Sequence, residues 1–199
     1  MMSPNLGNIA KYIESKCNRP TTMKVQKLTY ISYCWYLTCY NKKLFVDDIF
    51  AYTGGPVITE LFKIHSGKRL FSKEIVSSYN VDSISKNAKI VIDGVLAIYG
   101  EKSGDQLSDL THNFGTPWST TNKNEILRDD IILDYYIKNF PQITMLPIIK
   151  DATKLDLNFN AESISNFVKE NPTYADRDRT YFKNNHPSHS RLKEVGILC

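Results

Sequence analysis

The stretch from Leu28 to Tyr40 constrains the fold more than any other part of the chain. Read as a helix, it is apolar or aromatic nearly all round. A helix at a protein surface keeps one polar face, so a helix without one is buried on most sides by other elements. The spacing predicts that it starts after Thr21 or Thr22, carries Val25, Leu28, Ile31, Cys34, Trp35 and Leu37, and reaches Asn41. It is the hub of the core, and the rest of the chain must wrap it. A chain of 199 residues can bury such a core without disulfide or metal staples.

The elements expected around the hub are mostly helical. Ser3-Pro4 reads as a helix start, with Ile9, Tyr12, Ile13 and Cys17 on one face and an end near Asn18-Arg19-Pro20. Leu44-Phe45-Val46 and Ile49-Phe50-Ala51-Tyr52 are too short for helices and rich in strand formers, which predicts one or two short strands. Thr53-Gly54-Gly55-Pro56 breaks them, and Pro56 suits the first turn of a helix running from Val57. One strand is expected at Glu74-Ile75-Val76. A helix from Ser83 or Ser85 to Tyr99 places Ile84, Ala88, Val91, Val95 and Ile98 on one stripe, with Gly100 at its end. Ser103-Gly104-Asp105-Gln106 has the form of a capping box and opens a short helix to His112. A loop over Asn113 to Thr121 follows, then a helix capped by Asn122 with Glu125 and stopped by Pro141. The fold class is therefore mainly α, a helical domain around a buried central helix with a minor β element. A C-terminal extension of different texture follows, with a helix over Ala161 to Val168, a polar stretch and an apolar end, Leu192 to Cys199.

Composition narrows the function classes. Hydrophobic residues at 42% and aromatics at 12% exclude disorder throughout. No run reaches the roughly 18 apolar residues that span a bilayer, and the N-terminus lacks a signal-peptide pattern, so a cytoplasmic protein with no membrane partner is expected. Cys17, Cys34 and Cys39 sit within apolar helical patterns, and with Cys199 they offer no metal-ligand pairing. The densest basic stretch, Lys63 to Lys73, is short and holds no aromatic ladder, so it reads as a solvated face and not a nucleic-acid site.

His112 is the first candidate for chemistry, because it ends a short helix before a loop with a tryptophan. Catalysis needs a second group within reach, and Ser108, Asp109 and Thr111 are neighbours only along the chain. A structural histidine bonded to the loop backbone is the expectation. His186 and His189 form H-x2-H, but in a Pro-Ser-rich tail without a cysteine pair. Glu60 and Asp109 could act as paired carboxylates only if the fold joins them. Trp35 and Trp118 read as core. Gln26 and Lys27 open the central helix, one facing solvent and the other a neighbouring loop. The sequence predicts no catalytic residue, cofactor or metal. Clustered tyrosines (Tyr30, Tyr33, Tyr36, Tyr40, Tyr135, Tyr136) favour a protein-binding surface.

Four short stretches stand apart in one order: Gln26-Lys27-Leu28 with Thr29 and Tyr30, Gly54-Gly55-Pro56-Val57, Leu110-Thr111-His112, and Pro117-Trp118. Their order and spacing resemble the Panacea family (SocA-like or GepA-like), whose characterised members are antitoxins. The resemblance implies a bacterial or prophage-borne domain over 1–142 that neutralises a protein toxin encoded nearby by direct binding. It also implies that such a protein can act as an adaptor delivering its toxin to a protease. After Trp118, Ser-Thr-Thr-Asn-Lys replaces the more basic stretch expected in the family. The remaining 143–199 lies outside the resemblance and is expected to contribute to partner choice. The competing readings are a phage or prophage accessory protein binding a host factor, and an enzyme using His112.

Overall fold

The stretch marked for the interior forms one helix, α2 (Thr22–Tyr40), in the computed structural model, which describes residues 2–152. Thr21 caps it, its hydroxyl accepting from the Lys24 N–H at 3.1 Å, and Asn41 ends it in the left-handed conformation with φ 49°. Burial runs almost without a break from Val25 to Trp35 and on to Leu37 and Thr38. Buried hydroxyls survive there by turning back onto the helix: Thr29, Ser32 and Thr38 donate to the carbonyls of Val25, Leu28 and Cys34 at 2.7, 2.8 and 2.8 Å. Each polar group is thereby satisfied inside the helix and needs no water.

Four longer helices pack around this hub. Helix α1 (Pro4–Lys16) starts where Ser3-Pro4 predicts and turns Leu6, Ile9, Ala10 and Ile13 inward. Helix α4 (Lys86–Tyr99), capped by Ser85, contributes Val91, Ile92 and Val95, and Tyr99 meets Trp35 edge-on at 6.0 Å. Helix α5 (Gly104–His112) carries the expected capping box between Ser103 and Gln106. Helix α7 (Asp129–Asn139) buries Ile132 and Tyr136, and the Tyr33 hydroxyl reaches its Asp129 carboxylate at 2.6 Å. Shorter helices are α3 (Thr59–His65), α6 (Pro117–Thr120) and α8 (Leu146–Ile149). Three 3-10 turns, Lys73–Val76, Val81–Ser83 and Pro141–Met145, link them.

The β element is a hairpin, β1 (Ile49–Tyr52) against β2 (Gly55–Ile58), in antiparallel register Ile49–Ile58, Phe50–Val57, Ala51–Pro56 and Tyr52–Gly55. It differs from the expectation in one respect that matters. Residues 55–58 stay extended and the helix begins only at Thr59, so Pro56 lies in a strand. Pairing with β1 decides this. The Ala51 N–H is turned to the Glu125 carbonyl at 2.9 Å, so at the Ala51–Pro56 pair the ladder needs no N–H from Pro56.

Other local expectations shift for similar reasons. Leu44 and Phe45 are buried without forming a strand, the Leu44 carbonyl accepting from the Asn5 side chain at 3.2 Å. Glu74-Ile75-Val76 is a 3-10 turn, with Ile75 N–H bonded to Ser72. Pro117-Trp118 opens a single helical turn capped by Thr116. Asn122 and Glu125 do not cap a helix, because residues 124–127 are drawn alongside β1: Asn124 N–H reaches Ala51 O and Leu127 N–H reaches Ile49 O, both at 2.8 Å.

All the described residues belong to a compact unit spanning Met1–Asp156. Ile143 and Leu146, from the stretch assigned above to the extension, are fully buried in its core. The expected helix over Ala161 to Val168, the His186 and His189 pair and the Leu192 to Cys199 segment lie outside the described residues. Among the described residues no helix is long and apolar enough to cross a membrane.

The hub makes a measurable prediction. Leu28→Ala, at a site with 0% exposure, lowers unfolding free energy by about 2–5 kcal/mol in urea titrations. Ile148→Ala, at 73% exposure, stays within about 0.5 kcal/mol of the parent.

Candidate functional site

The four motif stretches, far apart along the chain, converge on the β-hairpin. Gln26 and Lys27, adjacent on α2, both turn inward, and neither faces solvent: Gln26 is 4% and Lys27 0% exposed. The Gln26 amide meets the edge of β2 as a strand would. Its Oε1 accepts from Ile58 N–H at 3.2 Å and its Nε2 donates to Ile58 O at 3.1 Å. The same Nε2 lies 3.1 Å from His65 Nε2. Lys27 Nζ donates to Gly54 O at 2.9 Å and Pro56 O at 3.3 Å. The two side chains together occupy the backbone groups that β2 turns away from β1.

Glycine at 55 follows from this crowding. Its φ is +99°, a conformation that L side chains rarely adopt. A Cβ there would also strike Lys27 Nζ and the His112 ring, whose Cε1 and Nε2 lie 2.6 and 2.8 Å from the position it would take. Lys27 and His112 therefore meet across Gly55, a juxtaposition that sequence spacing alone does not reveal. Val57 is half-buried beside Phe50 on the other face of the hairpin.

His112 is fixed from the opposite side. Its Nδ1 stands 2.6 Å from Ser108 O and 3.1 Å from Ser108 Oγ. A carbonyl only accepts, so Nδ1 carries the proton and donates it there. It cannot then act as a base toward the Ser108 hydroxyl, and the pair is not an activated nucleophile. The ring packs edge-on against Trp118 at 4.3 Å, and Trp118 Nε1 donates to Tyr52 O at 2.7 Å, holding the end of β1. Thr111 returns its hydroxyl to Ser108 O at 2.9 Å, and its own carbonyl accepts from Thr116 Oγ1 at 3.1 Å. Pro117 is buried at the start of α6. Leu28 and Tyr30 lie in the core, while Leu110 is half-buried.

The electrostatics agree with an interior role. Burial pulls Lys27 down to about 7 from 10.5, and no carboxylate among the described residues offsets the loss of water. Burial, with Lys68 adding to it, pulls His65 down to about 4. Cys34 is buried and Cys17 and Cys39 are half-buried; burial pushes the Cys34 and Cys39 thiols up to about 12 and raises Cys17, which disfavours the reactive thiolate at all three. Glu60 pairs with Lys63, and Asp109 is exposed on α5. Among the described residues no cluster of His, Cys, Asp or Glu is arranged to hold a metal ion. The hairpin's outward face carries half-exposed Phe50 and Tyr52, stacked at 5.7 Å, with Ile126 bridged beside Phe50.

Comparison with known proteins identifies the pattern. A family model described as "Antitoxin SocA-like, Panacea domain" matches residues 25–119, a span that contains all four motif stretches. No curated protein matches the chain. No solved structure matches it.

The buried lysine makes stability depend on pH with a defined sign. Below about 7 the lysine is charged in both folded and unfolded chains, and the cost of burying that charge is fully present. Above it the unfolded chain holds a proton that the folded one does not, so stability rises with pH until the unfolded lysine also titrates. From about pH 6.5 to about pH 8.5 the parent gains about 1–2 kcal/mol that Lys27→Met does not. Urea titrations of both proteins check this, and equal slopes would refute it.

Proposed function

We propose that this chain, whose residues 25–119 are a SocA-like Panacea antitoxin domain, neutralises a protein toxin encoded nearby by binding it directly in the cytoplasm. One observation carries the reading. The motif side chains with chemical potential, Gln26, Lys27 and His112, are buried, and the Gln26 amide, Lys27 Nζ and His112 Nδ1 bond to the backbone of the protein itself. The bonds from Gln26 and Lys27 hold the β-hairpin in place. The motif builds a scaffold, and the scaffold's outer surface is left to do the work.

That is the division of labour expected of a masking protein. An interface of ordinary size needs shape, a few aromatic or apolar anchors and a rim, with no catalytic set. Residues that hold the interior are then shared by domains with different partners, while exposed residues set the partner. The segment after Ile149, beyond the family match, contributes to that choice in this reading.

The test is growth. Cells expressing the neighbouring reading frame alone stop dividing, co-expression with this chain restores growth, and a tag on this chain recovers both proteins in a stable complex. Rescue accompanied by disappearance of the toxin is the outcome expected of an adaptor for proteolysis. Absence of toxicity, or toxicity without rescue, contradicts the reading and favours a host-factor ligand.

A further inference from the structure

The eleven residues Lys63 to Lys73 hold four of the chain's 25 Lys and Arg and none of its 21 Asp and Glu. The rest of the chain carries equal numbers of cations and anions, so the formal net charge of +4 is that of this one segment. The structure does not leave the segment loose. His65 at 4% and Phe71 at 1% exposure anchor its two sides. Between them the backbone is tied to the start of α2: Thr22 N–H reaches Arg69 O and Thr22 Oγ1 reaches Lys68 O, both at 3.1 Å, and Phe71 N–H reaches Pro20 O at 2.9 Å.

The tether leaves the side chains of Lys68 and Arg69 on the surface, and among the described residues neither has an ion-pair partner. At the ends of the segment the charge is offset, Lys63 by Glu60 and Lys73 by neighbouring Glu14 and Glu74. Exposed Arg19 adjoins Pro20 at the same edge. Apolar surface is interspersed. Leu70, bridged to Thr21, is 40% exposed, and Met23 two residues further on is 39% exposed. Gly104 of α5 packs against Thr21 and Met23, and with Asp105 beside it bounds the patch on that side.

We infer that this edge, Lys68 and Arg69 around Leu70 and Met23, is a docking surface for an acidic protein segment that carries an apolar side chain. Charge complementarity selects the occupant. Cations with no ion-pair partner among the described residues attract carboxylates and steer them in, while Leu70 and Met23 offer an apolar anchor point. A nucleic acid would call for a longer basic stripe and stacking rings beside it. The inference rests on the antitoxin reading only for which protein carries the segment.

Two arms test it. In the first, the full chain is titrated with a labelled peptide of about twelve residues, rich in Glu and Asp with interspersed Leu, with its Gln and Asn counterpart, and with single- and double-stranded DNA. The acidic peptide binds at least about 10-fold more tightly than its neutral counterpart at low salt. Lys68→Glu with Arg69→Glu abolishes that preference, while the matched reversal Lys123→Glu with Lys138→Glu keeps it, thermal unfolding confirming that both variants fold. Equal binding of the two peptides, an equal loss in both variants, or tighter binding of DNA overturns the inference. In the second arm the variants enter the growth assay. Rescue by the parent but not by the Lys68 and Arg69 reversal supports the surface. Rescue by both overturns it and leaves the antitoxin reading standing. If the parent fails to rescue, the antitoxin reading falls and the peptide arm alone decides the surface.

Discussion

Two adjacent side chains of one buried helix complete the backbone hydrogen bonding of β2 on the edge turned away from β1. Gln26 offers an acceptor and a donor to Ile58 as a paired strand would, and Lys27 offers a donor to Gly54 and Pro56. An edge strand with open N–H and C=O groups invites further strand pairing, and covering it is one way proteins prevent this. Here the cover lies inside the domain. Gly55 must lack a side chain so that Lys27 and the His112 ring can both approach, and Trp118 holds Tyr52, directly opposite Gly55 in the hairpin. The four motif stretches are thus one physical device read four times along the chain.

The device also gives the residues that look chemical a structural task. A lysine and a histidine brought together across a glycine would attract attention at an active site. In this chain both are buried, the lysine bonded to carbonyls and the histidine's Nδ1 proton committed to Ser108 O. Burying an unneutralised lysine is costly, as its lowered pKa records. The return is a hairpin bonded along both strands, whose outward face carries Phe50 and Tyr52, and a central helix whose first turn anchors the basic segment through Thr22.

Much of this was legible in the sequence wherever the deciding interaction is local. Ser3, Thr21, Ser85 and Ser103 cap helices from within a few residues, so α1, α2, α4 and α5 begin where the pattern places them. The all-round apolar character of residues 28–40 identifies the hub for the same reason. Residues 55–58 were not legible, because Pro56 suits both a helix start and an edge strand. What chooses the strand is β1 together with Gln26, about thirty positions earlier. The inward turn of Lys27 was hidden in the same way, since a lysine near a helix start ordinarily reads as solvated. The segment 124–127 looked like a cap because its bonds to Ala51 and Ile49 are long-range.

The central claim is that the Gln26 side chain, and not a neighbouring strand, protects the edge of β2. Native-state hydrogen exchange at the Ile58 amide, compared with the Leu28 amide in the hub, measures it directly. The account predicts that in Gln26→Met the Ile58 amide exchanges at least about 10-fold faster relative to Leu28 than in the parent. An unchanged ratio would show that Ile58 is protected by something other than Gln26 and would contradict the account.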